Sequence, residues 1–278
     1  MPTPVLGTSV VGFGHFLPGG QLLPAGIKGI NETYRGWIEV DNLRHQAFVK
    51  FLRPWELFNE LLGSVLCQLV ALPTPKVFLV VVNRDEYPSP ALFPDDQIQH
   101  ALAFASQAMP ADALSRRMSL TSLAALRTIG EEWTEWPDVL IFDQWIANPD
   151  RHTGNVLMGQ PGEFYLIDHG LCFYRQSWTP EELLASVSLV TTRLWTDFLQ
   201  AVVSPQQRLD ATSRIHAASE TQNGVDLHSA LLGTKVQEFI PEPNRLALVQ
   251  FLTQRRTAGP QVVCSAIGVP ILPFGDAK

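Results

Sequence analysis

A polar stretch in the middle of the chain, NPDRHTGNVL at positions 148–157, concentrates side chains that bind cations or transfer protons. It contains Asp150 and Asn155, and Asp168 follows thirteen residues after Asn155. An asparagine and an aspartate held together at a strand end supply hard oxygen ligands, which suit a magnesium ion that bridges nucleotide phosphates. A further aspartate just ahead of them can accept a proton from an attacking hydroxyl, or orient it. The pattern therefore favours the phosphoryl-transfer template.

The same template requires a lysine on an earlier strand, where it holds the α- and β-phosphates. Lys50 in AFVKFL fits this position, ahead of an amphipathic helical pattern. Glu60 on that helix is the candidate partner of the lysine. Helical periodicity places Glu60 and Glu56 on the polar face, roughly opposite the apolar stripe. That face either lines a cleft or meets water.

The combined spacing of Lys50, Asp150, Asn155 and Asp168 is specific. The sequence around these residues resembles the kinase core of the HipA-like family. The stretches FVKFL…FNELLGSVLCQLVALPTPKV and FDQWIANPDRHTGNVLM…FYLIDHG carry this resemblance, which covers roughly Tyr34 to Phe173. A more distant similarity to the phosphatidylinositol 3/4-kinases rests on the DRH triplet and on IDHG, which stands where those enzymes have I-D-F-G. The shared N-x-D-x-H-x-x-N pattern consists here of Asn148, Asp150, His152 and Asn155.

The resemblance implies an ATP- and Mg²⁺-dependent kinase that phosphorylates a serine or threonine hydroxyl on a protein. It implies that Asp150 is the catalytic aspartate, and that His152 assists it or stabilises its loop. Asn155 and Asp168 would then bind the magnesium ion, and Lys50 would hold the nucleotide phosphates. A small partner or antitoxin-like protein is a further expectation, by analogy with the family alone.

Two features of the sequence depart from the kinase pattern. No GxGxxG loop is visible, and the best substitute is KGINETYRGW at 28–37, whose backbone amides would cover the phosphates. The side chains predicted to bind phosphate there are Asn31, Thr33 and Arg35. The adenine-binding segment is predicted at 104–107, with Gln107 as its binding residue. His169 replaces the phenylalanine that usually follows the metal-binding aspartate, which argues against a switch by that side chain.

The elements that must position these residues begin with strands. Short runs predict a strand at Val10–Phe13, a hairpin formed by TYRGWIEV and HQAFVKFL around Asp41 and Asn42, and a buried strand, KVFLVVV. Between the hairpin and that strand, a helix is predicted to begin near Pro54. NVLM and EFYLID, joined by GQPG, predict a second hairpin that returns Asp168 to the catalytic stretch.

The remainder of the chain has helical periodicity, in SLTSLAALRTIGEEW, in PDVLIFDQWIAN and in most of the sequence from Phe173 to Gln254. These patterns predict an α+β protein with a two-lobed, protein-kinase-like fold. We expect residues 1–108 to form a small β-rich N-lobe and residues 109–278 a larger, mainly helical C-lobe. The active site would lie in the cleft between the lobes.

Composition restricts the partners and the compartment. The net charge of −7 among 278 residues argues against a broad nucleic-acid interface, and it weakly favours a protein substrate over a charged membrane lipid. The three cysteines are far apart and without CxxC spacing, which suits a reducing compartment and makes no zinc site. No signal peptide is visible in Met1–Gly20, and the longest apolar stretch, Leu61–Val70, is too short to span a bilayer. A cytoplasmic protein is therefore expected.

Two other functions remain open at this point. A metal-dependent hydrolase would use Asp150, His152, Asp168 and His169 to bind a transition metal, although the strand lysine would then have no role. A kinase-like nucleotide-binding module that only regulates a partner would keep the fold without catalysis. The presence of all four residues that the kinase template requires argues against loss of catalysis. They are Lys50, Asp150, Asn155 and Asp168.

Overall fold

The computed structural model describes residues 11–24, 31–185 and 193–269. Its strands are β1 (Gly12–Phe16), β2 (Gln21–Leu22), β3 (Thr33–Val40), β4 (Leu43–Lys50), β5 (Val77–Asn83), β6 (His100–Gln107), β7 (Asp112–Ala113), β8 (Val156–Met158) and β9 (Phe164–Leu166). Its α-helices are α1 (Pro54–Leu69), α2 (Leu114–Met118), α3 (Leu123–Glu132), α4 (Trp136–Trp145), α5 (Pro180–Ala185), α6 (Gln200–Val202), α7 (Pro205–Asn223), α8 (Leu227–Gly233) and α9 (Glu242–Ile267). The predicted α+β class, with a sheet first and helices later, is confirmed.

The N-terminal sheet closes on itself, which the sequence did not predict. Its strand order is β1–β5–β6–β4–β3–β2, and β1 also pairs with β3, so that five of the strands form a barrel. Gly14 in β1 permits this closure because a Cβ atom there would collide with the carbonyl oxygen of Glu39 in β3. Closure removes the free edge that β1 and β3 would otherwise present.

The β3–β4 hairpin carries the predicted lysine and has the predicted turn. Asp41 and Asn42 both adopt positive φ angles, of 50° and 61°, which a two-residue hairpin turn requires and which these residue types tolerate. The register pairs Val40 with Leu43 and Thr33 with Lys50. Lys50 is therefore the last residue of β4, at the end of the hairpin away from the turn.

Helix α1 begins at Pro54, as predicted, because proline suits the first helical turn. The Glu56 side chain accepts from the backbone amide of Arg53 at 3.3 Å, which caps this end of the helix. Every residue from Glu56 to Cys67 is buried, the acidic ones included. The possibility that the polar face meets water is therefore wrong. The helix lies between the sheet and the helical part of the chain, so both of its faces are covered.

One apolar cluster runs through both halves of the chain. It includes Leu61 of α1 and Leu79 of β5, and it continues through Ile141 of α4, Ile215 of α7 and Leu252 of α9. The elements that carry the predicted site residues are therefore built on a single continuous core. Among the described helices, none combines the length and the apolar character needed to cross a bilayer.

A second, smaller apolar cluster occupies the other face of the barrel strands. In β6, Ala103 and Ala105 belong to this cluster, whereas Phe104 between them packs on the α1 side. Because α1 packs outside the closed sheet, the smaller cluster fills the barrel interior.

Several predicted boundaries shift. The strand expected at Val10–Phe13 occupies Gly12–Phe16, and Val10 lies outside the described residues. The helix expected from Ser119 begins at Leu123 because the Ser122 side chain caps it. In the described part of the segment after Phe173 there are five α-helices with breaks between them, and the last of these continues past Gln254 to Ile267.

The second predicted hairpin is present as β8 and β9. Val156 pairs with Leu166, and the turn between the strands uses Gly162 at a positive φ of 79°. The amide of Ile167 donates to the carbonyl of Asn155, which extends the pairing by one step. The hairpin therefore brings the residues on either side of it, Asn155 and Asp168, to the same end, as predicted.

Candidate active site

Lys50 is the centre of an ion-pair group that joins three elements. Its Nζ lies 3.0 Å from Oε1 of Glu60 on α1 and 3.1 Å from Oδ1 of Asp168 after β9. The Glu60 side chain is 2 % exposed, whereas that of Asp168 is 47 % exposed. The pairing predicted for Glu60 is thus present, and the Asp168 carboxylate is the one that is open to a ligand.

Lys50 and the two carboxylates of this group change one another's pKa values. Burial alone would lower the pKa of Lys50, but Asp168 and Glu60 raise it above its usual value. Lys50 in turn lowers the pKa of Asp168, despite partial burial of that carboxyl. Burial raises the pKa of Glu60 against the attraction of Lys50. Lys50 and Asp168 are therefore charged at neutral pH, as their predicted roles in binding phosphate and metal require.

The predicted catalytic loop, residues 148–155, is braced by hydrogen bonds from its own side chains. Asn148 accepts from the amide of Asp150 at 3.1 Å, and Asn155 donates its amide nitrogen to the carbonyl of Asp150 at 2.9 Å. His152 accepts from the amide of Gly154 at 2.9 Å, at the start of a short 3₁₀ turn over Thr153–Asn155. Of the two roles implied for His152, these contacts support the stabilisation of the loop.

Arg151 ties the loop to its neighbours from inside the protein, where it is completely buried. Its Nε lies 3.2 Å from both carboxylate oxygens of Asp143, and its Nη1 donates to the carbonyls of Asn155 and Ile167. One guanidinium thus ties α4, the catalytic loop and the β8–β9 hairpin together. In the sequence, the sign of this ion pair is Asp143, an acid in the otherwise apolar stretch VLIFDQW, eight residues before Arg151.

His169 is packed inside the protein against Arg151 and Phe142. It is buried, its Nδ1 lies 3.1 Å from Arg151 Nη2, and its ring packs edge-on against Phe142. Burial, together with the charges of Arg151 and Lys50, holds the pKa of His169 well below its usual range, so the ring is neutral. Gly63 allows α1 to pass directly over it, because a Cβ at that position would overlap the Cβ of His169.

Asn59 of α1 is a residue of the site that the sequence analysis did not identify. Its side-chain amide nitrogen lies 3.1 Å from the carbonyl of Arg175 and 3.2 Å from that of Gly170. It is completely buried, so it fixes to α1 the segment that follows Asp168. The neighbouring residues Asn59 and Glu60 therefore have different functions. Asn59 holds this segment, and Glu60 holds Lys50.

The predicted nucleotide-binding residues are distributed along the barrel. Thr33 is paired with Lys50 across the hairpin, and its hydroxyl donates to the carbonyl of Asn31 at 3.2 Å. Arg35 is exposed further along β3, where it donates to Gln46 at 3.1 Å. Gln107 ends β6, and its amide donates to the carbonyl of Lys76. The structure thus brings Asn31 and Thr33 near Lys50, but it leaves Arg35 further from it. Lys28 to Ile30 of the predicted phosphate segment lie outside the described residues.

The donor set at the hairpin end suits magnesium better than a transition metal. Because the amide nitrogen of Asn155 is engaged by Asp150, its amide oxygen is the atom left for a cation. With Asp168, this gives hard oxygen donors of the kind magnesium prefers, with its remaining positions taken by phosphate and water. The described ranges contain no group of three or more histidine, cysteine or acidic side chains placed to hold a metal ion.

Comparison with known proteins agrees with this geometry. A family model described as HipA-like kinase matches residues 48–221, which is more than half of the chain. Comparison with curated proteins found no similar sequence. Among solved structures, the Helicobacter pylori proinflammatory kinase CtkA is similar with a TM-score of 0.58 and 17 % identity, over 91 % of this chain and 98 % of that one. At that identity the likeness is one of fold. Because the family model covers Lys50, the catalytic loop and Asp168, this chain belongs to the HipA-like kinase family.

Proposed function

We propose that this kinase transfers the γ-phosphate of ATP to a serine or threonine hydroxyl of a protein, with Mg²⁺ as cofactor. The single observation that carries the proposal is the joining of Lys50, Glu60 and Asp168 in one ion-pair group. Family membership supports phosphotransfer, and the exposed carboxylate of Asp168 supports a bound cation. In the transfer, the acceptor hydroxyl loses its proton to Asp150 while its oxygen replaces the ADP oxygen on the γ-phosphorus.

The other residues have supporting roles in this proposal. Lys50 holds the α- and β-phosphates, and Glu60 keeps the lysine in place. Asn155 and Asp168 would hold the magnesium ion, which would neutralise charge on the phosphates. Asn31 and Thr33, which lie near Lys50, would cover the phosphates. His152 shapes the loop and does not transfer the proton.

The peripheral parts of the site follow from the same scheme. We place the adenine against the segment 104–107, where Gln107 ends β6, because the chain leaves the barrel there. Arg35 is the weakest member of the predicted set, because its partner is Gln46 on the neighbouring strand. We propose residues 1–108 as the nucleotide-binding lobe and residues 109–278 as the lobe with the catalytic and metal-binding loops.

The remaining functional expectations concern partners and place. The acidic chain favours a protein acceptor over an anionic lipid, and it gives no footprint for nucleic acid. A cytoplasmic setting and a small antitoxin-like partner are proposals from the family resemblance. Of the alternatives, the hydrolase loses support because His169 is buried against Arg151. The non-catalytic module is the alternative that the next experiment tests.

Asp150→Ala should reduce ATP-dependent phosphate transfer at least about a hundredfold, the usual scale of a lost general base. It should leave ATP binding largely intact, because the residue contacts the acceptor and not the nucleotide. The measurement is autophosphorylation and ADP release, with binding followed by calorimetry. Asp210→Ala, an exposed aspartate on α7, is the matched control. Full activity of Asp150→Ala would contradict the assignment of the base.

Asp168→Ala separates metal binding from catalysis. We expect weaker binding of Mg²⁺–ATP with a much smaller loss for ATP in EDTA, because the carboxylate acts through the metal. A thermal-shift series with ATP, with and without Mg²⁺, measures this. If Mg²⁺ adds nothing to nucleotide stabilisation of the unsubstituted protein, the kinase proposal is wrong. Nucleotide stabilisation without turnover would favour the regulatory module.

A further inference from the structure

Arg193 is the first described residue after α5, at a helical position, and its guanidinium reaches the catalytic loop. Its Nη1 lies 3.6 Å from Oδ1 of Asp150, and its Nε lies 3.5 Å from Oδ2 of Asp197, one turn further along. The Arg193 side chain is 57 % exposed and that of Asp150 is 35 % exposed. Ion pairs this exposed contribute little to stability, so little free energy is lost when one partner is replaced. The arginine is therefore free to leave Asp150 for a stronger anion.

The backbone fixes Arg193 beside the catalytic loop. The next residue, Leu194, donates its amide to the carbonyl of Arg151 at 2.7 Å, and its side chain is completely buried. Trp195 is also buried and lies against Trp136 of α4. A π-helical turn, Trp195–Leu199, follows directly, and such turns occur frequently at functional sites. The nearness of Arg193 to Asp150 thus follows from main-chain bonding and core packing.

We propose that Arg193 binds the γ-phosphoryl group of ATP while it is transferred. The proposal rests on the proposed kinase function and adds a catalytic residue to it. The acceptor oxygen must lie within hydrogen-bond distance of Asp150 and close to the γ-phosphorus. A guanidinium 3.6 Å from the same carboxylate is therefore adjacent to the γ-phosphoryl oxygens.

The chemistry of the transfer explains why an arginine suits this position. The acceptor hydroxyl gives its proton to Asp150, its oxygen bonds to the γ-phosphorus, and the bond to the β–γ bridging oxygen breaks, which releases ADP. Negative charge is carried by the γ-phosphoryl oxygens throughout. Arg193 offers them two parallel N–H donors, while Asp197 holds its Nε edge. Lys50 serves the α- and β-phosphates, so the two cations act at different phosphates.

The test compares Arg193→Gln and Arg193→Lys with the unsubstituted protein. Arg214→Gln is the matched control, because Arg214 is 39 % exposed and pairs with Asp138 at the end of α4 away from the catalytic loop. Each variant is assayed for Mg²⁺–ATP turnover. Its affinity is measured for ADP, and for ADP with aluminium fluoride, which imitates the phosphoryl group in transfer.

For Arg193→Gln we expect kcat to fall about 10- to 100-fold, the worth of one charge-assisted hydrogen bond to phosphate. Affinity for ADP should stay within about twofold. Affinity for ADP with aluminium fluoride should fall with kcat, because only that complex contains a group in the γ-phosphoryl position for Arg193 to contact. Arg193→Lys should recover part of the loss, since it keeps the charge without the fork. Arg214→Gln should match the unsubstituted protein.

Two results would overturn the proposal while leaving the kinase function intact. A rise in kcat for Arg193→Gln would make the Asp150 contact an inhibitory latch. An equal loss of affinity for ADP and for ADP with aluminium fluoride would make Arg193 a structural residue. An unsubstituted protein without any Mg²⁺–ATP turnover that depends on Asp150 would remove the proposed function and this role together.

Discussion

The Asp143–Arg151 pair sets the geometry of the catalytic loop at the scale of single residues. Both side chains are completely inaccessible to solvent. Breaking such a pair from one side typically costs about 3–5 kcal/mol, because it leaves an uncompensated buried charge. The pair therefore holds the loop, and through the carbonyls of Asn155 and Ile167 it holds the two predicted metal-binding positions.

Protonation of Asp143 should weaken this support within an accessible pH range. Burial raises the pKa of Asp143 to about 6, against the attraction of Arg151. Below that pH the neutral carboxyl attracts the guanidinium less, so kcat should fall as pH drops from about 7 to about 5. A kcat–pH profile measures the effect.

Asp143→Asn is the control for the pH profile, since its amide imitates the protonated acid. This variant should have a low kcat at every pH, and it should lack the acidic limb of the profile. Its fold is checked by circular dichroism. An unchanged acidic limb in Asp143→Asn would assign the limb to another group, such as ATP itself.

At the scale of elements, the contact between α1 and the segment around His169 decides whether the site assembles. Helix α1 contributes Glu60 to the lysine and Asn59 to the segment after Asp168. Gly63, one turn later, lets the helix approach closely enough for both contacts. A small change in the distance between these elements should therefore disturb the ion-pair group first.

Gly63→Ala should destabilise the protein by about 1–3 kcal/mol, the usual cost of overpacking, reduced slightly by the better helix propensity of alanine. Phosphate transfer should fall more steeply than stability, because the displaced α1 carries Glu60 away from Lys50. Urea unfolding and ADP release measure the two effects.

Gly233→Ala on α8 is the matched control, since a Cβ there meets Val65 at an ordinary 3.7 Å. It should leave activity unchanged and stability equal or slightly higher. If Gly63→Ala behaves in the same way, the close approach of α1 is not what holds the site together.

At the scale of the whole molecule, the barrel and the helices share one apolar cluster through α1. A chain of 278 residues often unfolds in several steps. Here we expect one cooperative transition in urea, with tryptophan fluorescence and circular dichroism coincident, because neither half can unfold without exposing the core of the other.

Leu61→Ala tests this coupling because Leu61 is completely buried in α1. It should lower the free energy of unfolding of the whole chain by about 2–5 kcal/mol. Leu123→Ala, at a position 54 % exposed on α3, should change it by less than about 0.5 kcal/mol. Two separate transitions, of which Leu61→Ala moves one, would show that the halves are independent lobes.

The parts of the site predicted from sequence are those fixed by short-range geometry. Asn155 and Asp168 flank one hairpin whose strands and turn are local, so the step of thirteen residues was enough to bring them together. Lys50 could be assigned because a hairpin ends there and a strongly periodic helix follows. The order of strands and helices likewise follows from the local periodicity of hydrophobic residues, and that order predicted the α+β class.

Only the tertiary structure decided the contacts made between distant elements. Periodicity could not tell whether Glu60 meets water, because that depends on what covers the second face of α1. The closure of the barrel by β1, the burial of Arg151 and the approach of Arg193 to Asp150 each join segments whose separation no local pattern fixes. The sequence by itself determined which residues could transfer phosphate, and long-range packing decided which side chains hold them in place.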